Sequence, residues 1–294
     1  MKASAFRKLL EQVAVLSRRR RAHLLQVLRS TVGPDRFTEV IEQAKPAPTC
    51  GPACGAARFH RHGRAHGLQR VRCLSCGRTY TALAGSPPAG LRHREKWLDY
   101  LCSVLHSTTV RGAARSVGVH RNTSFRWRHR FLAHKGSRKL LRPPRKHGGT
   151  ATKRGISDEQ ICVLVARDRT GQTFAFVTGL GPVTKRQLHQ HLPPVPNKDV
   201  LLVSDSNAAY RYFARETGIS HQAVKLRAGE RVRGAVHVQN VNAYHRRLRE
   251  WLARFHGVAT RYLPHYLGWR WALDGNRLDS PDDLLRPAIG VFNT

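Results

Sequence analysis

The chain has 294 residues, of which 40% are hydrophobic, so it is long enough for two or three packed domains and is not a disordered polymer. Lysine and arginine total 52 against 18 aspartate and glutamate, a net charge of +34. No apolar run approaches the roughly 18 residues of a membrane helix, and six cysteines in so long a chain argue against a secreted disulfide scaffold. We therefore expect a reducing compartment and no membrane partner.

The positive charge is concentrated in the first half of the chain. Residues 1–150 carry 31 basic and 6 acidic side chains, whereas residues 151–294 carry 21 and 12. Because release of counterions from phosphates turns such charge into affinity, nucleic acid is the leading partner. The alternative is a basic surface that only confers solubility.

The first 45 residues predict a helical N-terminal segment. Apolar residues recur at helical spacing in Phe6–Val15 and His23–Val32, and Asp35–Gln43 adds a short helix. The prolines at 46 and 48 cannot continue a helix, so we place a boundary at residue 46.

Two cysteine pairs follow in the segment 46–88. The pattern is Cys50-x3-Cys54 and Cys73-x2-Cys76, separated by short strand-like pieces. Two thiolate pairs on tight turns suit tetrahedral Zn²⁺, with no open position for chemistry. The sequence predicts a structural zinc ribbon, and the alternative is four unrelated buried cysteines.

The segment 89–134 predicts a helix-turn-helix. One helical pattern covers Trp97–Leu105, and two more flank Gly118 between Val110 and Phe131. The alternative is a helical hairpin with a solvated basic face. The expected DNA contacts are Arg111, Arg115, Arg121, Asn122, Ser124, Arg126 and His129.

Residues 135–155 form a basic, Pro- and Gly-containing linker, after which the pattern changes to alternating strands and helices. Ile161–Ala166 and Thr173–Val177 predict a hairpin, and Asp199–Asp205 predicts a buried strand that ends on a carboxylate. Helices are expected at about 185–191, 207–217 and 242–255. This gives an α/β domain at 156–275 and a tail at 276–294.

Polar residues of this domain suggest a second site. Asn242, His245, Arg246 and Arg249 share one helix face, opposite an apolar face. Asp205 with a nearby carbonyl oxygen could hold Mg²⁺, and Arg249 could hold a phosphate. A strand-terminal Asp is as often a helix N-cap, so the residues alone leave both roles open.

The stretches His237–Leu252 and Arg254–Arg270 closely resemble bacterial transposases of insertion-sequence family 1595, and the resemblance extends from Cys50 to about Leu273. The family implies a zinc ribbon, a helix-turn-helix and a ribonuclease-H-like domain that cuts and joins DNA ends with Mg²⁺. It implies a bacterial, nucleoid-associated protein of the cytoplasm that binds double-stranded inverted repeats, with a homo-oligomer also compatible. Asp205 matches the second catalytic acid, Asn242 the third position, and Arg249 stands where a Lys is expected.

The first catalytic acid of that family has no counterpart here. It lies on the first sheet strand, after the helix-turn-helix, but no Asp or Glu occurs between Asp99 and Asp158. Asp158 and Asp168 are the open replacements, although both also fit turn roles. The expected fold is therefore multidomain α+β with an incomplete ribonuclease-H-like domain.

Three functions follow as expectations. The first is a transposase that binds element ends but is impaired in Mg²⁺-dependent cleavage. The second is a non-catalytic, zinc-containing DNA-binding regulator or inhibitor of an intact transposase. The third, a ribosome- or RNA-associated basic zinc protein, is disfavoured by the apolar strands and helices after residue 156.

Overall fold

The computed structural model describes residues 35–45, 53–133, 157–192, 200–224 and 237–291, with isolated positions between 8 and 24. Helices and small sheets are mixed, which confirms the α+β class. The predicted helices Phe6–Val15 and His23–Val32 lie largely outside the described residues, as do Cys50 and most of the basic linker. The chain divides into one compact unit of residues 1–98 with 291–294 and a second of residues 99–290.

The first unit contains a three-stranded antiparallel sheet. Helix α1 (Asp35–Ala44) precedes strands β1 (Phe59–Ala65), β2 (Leu68–Cys73) and β3 (Thr79–Tyr80), with β2 in the centre. Helix α1 is attached to β2 by a hydrogen bond from the Gln69 backbone N–H to Glu42, 2.9 Å long. Phe37 and Ile41 of α1 are buried, as is Leu68 of β2, so α1 covers this small sheet.

Three short helices open the second unit. Helix α2 (Trp97–Leu105) starts at the boundary between the units and is followed by α3 (Val110–Val117) and α4 (Arg121–Phe131). Thr109 caps α3, which ends at Gly118 in the left-handed conformation, as predicted. Ala113 and Ala114 are buried, which lets α3 and α4 approach closely.

Two separate two-stranded sheets follow. Strands β4 (Ile161–Arg167) and β5 (Thr173–Leu180) are antiparallel, confirming the predicted hairpin, whereas β6 (Leu201–Ser204) and β7 (Ser220–Ala223) are parallel. Helices α5 (Lys185–His191) and α6 (Ala208–Thr217) accompany them. Leu164 of β4 and Leu202 of β6 belong to one apolar cluster with both helices. No described residue forms a strand joining β4 to β6.

The chain closes with helices α7 (Gln239–Ala253), α8 (Leu263–Asp274) and α9 (Pro281–Ala288), with a 3-10 turn at Thr260–Tyr262. Trp251, Tyr266 and Trp269 pack edge to face in the core between α7 and α8. The segment expected as a tail contains α9, whose Leu284 and Leu285 are buried. None of the described helices combines the length and apolarity needed to cross a membrane.

Candidate metal centre and nucleic-acid interface

Three of the four predicted zinc ligands meet at the end of the first sheet. The thiol sulfurs of Cys54, Cys73 and Cys76 all lie within 4.8 Å of one another, and those of Cys54 and Cys73 are 3.6 Å apart. A tetrahedral zinc with Zn–S bonds of about 2.3 Å requires sulfur separations of about 3.8 Å. The trio therefore fits three corners of such a site, and Cys50, the predicted fourth ligand, lies outside the described residues.

Local backbone geometry brings these thiols together. Cys73 ends β2, and the turn after it closes with a 3.0 Å bond from the Gly77 N–H to the Cys73 carbonyl. Gly77 has φ +69°, a value that side-chain-bearing residues rarely adopt. A hydrogen bond from the Arg78 backbone N–H, assisted by the Tyr80 hydroxyl, lowers the pKa of Cys76 to about 7. Thiolate formation, which zinc binding requires, is thus favoured at this turn.

Five of the seven predicted DNA-contacting residues are exposed. They come from α3 and from the first part of α4: Arg111, Arg115, Arg121, Asn122 and Arg126. The His120 ring caps α4 by accepting the Asn122 N–H at 3.2 Å, which fixes the start of this helix. The exposed side chains thus form a basic surface on two adjoining helices.

The other two predicted contacts, Ser124 and His129, are buried rather than on the outer face. Ser124 donates a 2.8 Å hydrogen bond to the Val110 carbonyl and so holds α4 against α3. The His129 ring stacks on Tyr262, with centroids 3.6 Å apart. Burial, with the nearby His265 and Arg128, lowers the pKa of His129 to about 3, so its ring is neutral at pH 7.

Arg128 ties α4 to the C-terminal helices. Its guanidinium is fully buried, lies over the rings of Phe255 and Trp269, and donates to the Thr108 carbonyl. The Trp251 indole N–H also donates to the Ser107 hydroxyl at 2.9 Å. Helix α4 is therefore part of the same packed core as α7 and α8. The spacing of residues along the sequence could not reveal this packing, because Arg128 lies more than 100 residues before Phe255 and Trp269.

Asp205 stands at the predicted position, directly after β6, and its side chain is exposed. Its carboxylate accepts the Asn207 N–H at 3.2 Å, while Asn207 itself caps α6, so Asp205 is not the N-cap. Ser204 donates to the Asp205 carbonyl and contacts the His221 ring, both at 2.8 Å. This contact between Ser204 and His221 was not predictable from spacing, because His221 comes from the neighbouring strand β7.

The other predicted members of this site come from helix α7. Asn242 and Arg249 are exposed on α7, where Tyr244 and Leu248 form the predicted buried face. Among the described residues, only the three cysteines form a group of three or more Cys, His, Asp or Glu side chains close enough to hold a metal. Among the described residues, Asp205 is therefore not part of such a group.

The two open replacements for the missing acid occupy turns. The Asp168 carboxylate accepts hydrogen bonds from the Thr170 hydroxyl and the Gln172 N–H, both 2.8 Å long, inside the β4–β5 turn. Asp158 lies in the turn before β4. Asp168 therefore has the turn role expected of its sequence position.

Comparison with known proteins gives two matches. Residues 135–271 match the family model of the ISXO2-like transposase domain. Over 242 residues the chain is 24% identical to an uncharacterized protein in transposable element ISH50 of Halobacterium salinarum, covering 74% of this chain and 82% of that protein. No solved structure matches the chain.

Proposed function

We propose that the chain binds element-end duplex DNA without cutting it, on the premise that the match of residues 135–271 to the ISXO2-like transposase domain reflects membership of that family. Such a protein acts on bacterial nucleoid DNA. The proposal has two parts, DNA binding by the zinc and helix-turn-helix segments and loss of cleavage in the sheet region, and different residues support each part.

The exposed cations of α3 and α4 support DNA binding. Arg121, Asn122 and Arg126 lie in the first half of a well-capped helix, a position from which a recognition helix reaches base edges. Arg111 and Arg115 on α3 extend the basic surface toward phosphates. Neither Arg121 nor Arg126 forms an ion pair with a described residue, so both are available to an anionic partner.

The thiol cluster supports a structural role for zinc. Cys54, Cys73 and Cys76 at the end of a small sheet, with Cys50 as the fourth ligand, would leave no coordination position for a substrate. The metal would hold β1–β3 in place, since this sheet has few buried apolar residues of its own.

The proposed loss of cleavage is supported by the separation of β4–β5 and β6–β7 into two small sheets. Phosphodiester cleavage of this class needs carboxylates that hold divalent ions around the attacking and leaving oxygens. Asp205 belongs to no group of three or more Cys, His, Asp or Glu side chains that could hold a metal among the described residues, and β4 and β6 are not joined by a described strand. The family's first acid would lie on a strand of this kind, and the sequence has no acid between residues 99 and 158.

Binding of labelled duplex DNA by full-length protein tests the first part. The double variant Arg121→Gln with Arg126→Gln should weaken binding at least tenfold, because each lost contact to a base or phosphate costs about 1 kcal/mol or more. The matched control is Arg186→Gln, an exposed arginine on α5. Equal affinity of the double variant and the control would refute the assignment of α4 as the DNA-contacting helix.

The second candidate is an inhibitor of an intact transposase, favoured by complete α2–α4 helices beside an incomplete sheet region. Such a protein would occupy element ends without cutting them. In a cleavage reaction run by an intact family member, adding this chain should reduce cleavage, and the Arg121→Gln, Arg126→Gln variant should not. Unchanged cleavage at saturating amounts of wild-type protein would reject inhibition.

A further inference from the structure

Helix α4 exposes one large apolar side chain beside its cations. Phe125 is 40% exposed and follows Arg121 by one helical turn. Single exposed apolar residues are common on protein surfaces, so exposure alone assigns no role. The surroundings of this ring are what distinguish it from other exposed aromatic residues.

The Phe125 ring is held in a fixed position by residues from two parts of the chain. It meets the Tyr262 ring edge to face at 5.3 Å and the His129 ring at 4.5 Å. Tyr262 in turn stacks on His129. A ring so restrained loses little conformational entropy when a ligand covers it, which favours its use as a contact.

The segment that holds Phe125 also adds positive charge. Arg261 is exposed, and its guanidinium lies 4.8 Å from the centre of the Tyr262 ring. Arg261 thus lies over a ring that contacts Phe125, and Arg121 and Arg126 flank Phe125 on α4. An apolar contact flanked by cations is complementary to DNA, whose major groove presents thymine methyl groups between phosphate strands.

Burial limits how far along α4 a ligand can reach. His129, one turn after Phe125, is covered by Tyr262 and cannot touch a partner. On the helix face that carries Phe125, the accessible strip therefore begins at Arg121 and ends at Phe125, with exposed Arg126 beside it. A helix inserted by its first half would place Phe125 against a base edge and leave Arg261 near the DNA backbone.

We propose that Phe125 contacts the methyl group of a thymine in the major groove and that Arg261, from outside the helix-turn-helix, contacts a neighbouring phosphate. This inference rests on the proposed DNA-binding function. It assigns a base-specific apolar contact, and a phosphate contact from the segment before α8.

The test compares thymine with deoxyuridine, which lacks only the methyl group. The probe is a duplex enriched from a random pool by wild-type protein, prepared also with every thymine replaced by deoxyuridine. Wild-type protein should bind the replaced duplex about fourfold more weakly, as expected for loss of one buried methyl group. Phe125→Ala should bind both duplexes equally.

Phe174→Ala is the matched control, because Phe174 is also exposed, on β5 of the same unit. This variant should keep the wild-type ratio. An unchanged ratio in Phe125→Ala, or no effect of deoxyuridine on wild-type protein, would overturn the thymine contact. Absence of any duplex binding by wild-type protein would instead overturn the proposed function itself.

Arg261→Gln provides a second readout that does not depend on Phe125. It should reduce the slope of log affinity against log salt by about one, as expected for one lost phosphate contact. Arg277→Gln is the control, since Arg277 also lies over an aromatic ring, Trp271, but beyond the other end of α8. An unchanged slope in Arg261→Gln would remove Arg261 from the DNA contact.

Discussion

The two predicted metal sites differ in how the chain brings their ligands together. Cys54, Cys73 and Cys76 converge within 4.8 Å at the end of β2, whereas Asp205 belongs to no such group of three or more ligands among the described residues. The thiols are positioned by turns within a 23-residue stretch of chain. The predicted members of the second site come instead from segments far apart in the chain, Asp205 after β6 and Asn242 on α7.

The largest expected effect is at the thiol site. Cys73→Ser should abolish bound zinc, measured by elemental analysis, and leave the β1–β3 region sensitive to protease, because metal binding contributes most of the stability of small zinc modules. Cys162→Ser, on β4, should keep the full zinc content. Zinc retained in Cys73→Ser would mean that the three thiols are not its ligands.

An intermediate effect, a loss of folding stability in the helices of the second unit, is expected as the pH is lowered. His129 has a pKa near 3 in the fold against about 6.5 unfolded, so the unfolded chain takes up its proton first and stability falls as the pH drops below 6.5. At pH 5 the loss is at most about 2 kcal/mol.

Thermal unfolding between pH 7.5 and 5 measures this loss. His129→Phe keeps an aromatic ring on Tyr262 and should flatten the pH dependence relative to wild type. If both proteins lose the same stability over this range, burial of neutral His129 is not the cause.

The smallest expected changes in the free energy of unfolding come from substituting two aspartates that follow strands, Asp168 and Asp205. Asp168→Ala should cost about 1 kcal/mol, because the Thr170 hydroxyl and the Gln172 N–H both lose their acceptor. Asp205→Ala should cost less, since only the Asn207 N–H is affected. Denaturant unfolding of both variants checks the order, and a larger loss for Asp205→Ala would indicate that Asp205 has a structural role.

Local patterns predicted much of this molecule. The cysteine pairs, the helices flanking Gly118 and the β4–β5 hairpin with Asp168 in its turn depend on residues close in sequence, so spacing and turn chemistry were sufficient. The apolar face of α7, with Tyr244 and Leu248 buried, also followed from periodicity.

Contacts between distant segments were not predictable in this way. The expectation that Ser124 and His129 face outward assumed an isolated α4, but α3 covers Ser124 and Tyr262 covers His129. Leu284 and Leu285, in the segment expected as a tail, are apolar residues of the kind that a packed helix buries, and both lie in α9. Only tertiary structure shows which partner covers such residues.

A nicking assay tests the proposal that this chain binds element-end DNA without cleaving it. Purified protein is incubated with a duplex that carries insertion-sequence inverted repeats and that it binds, with and without Mg²⁺, alongside Asp205→Ala. We expect a bound duplex and no nicked product with either protein. If wild-type protein nicks the duplex, and this nicking requires Mg²⁺ and disappears in Asp205→Ala, the proposed loss of cleavage is wrong.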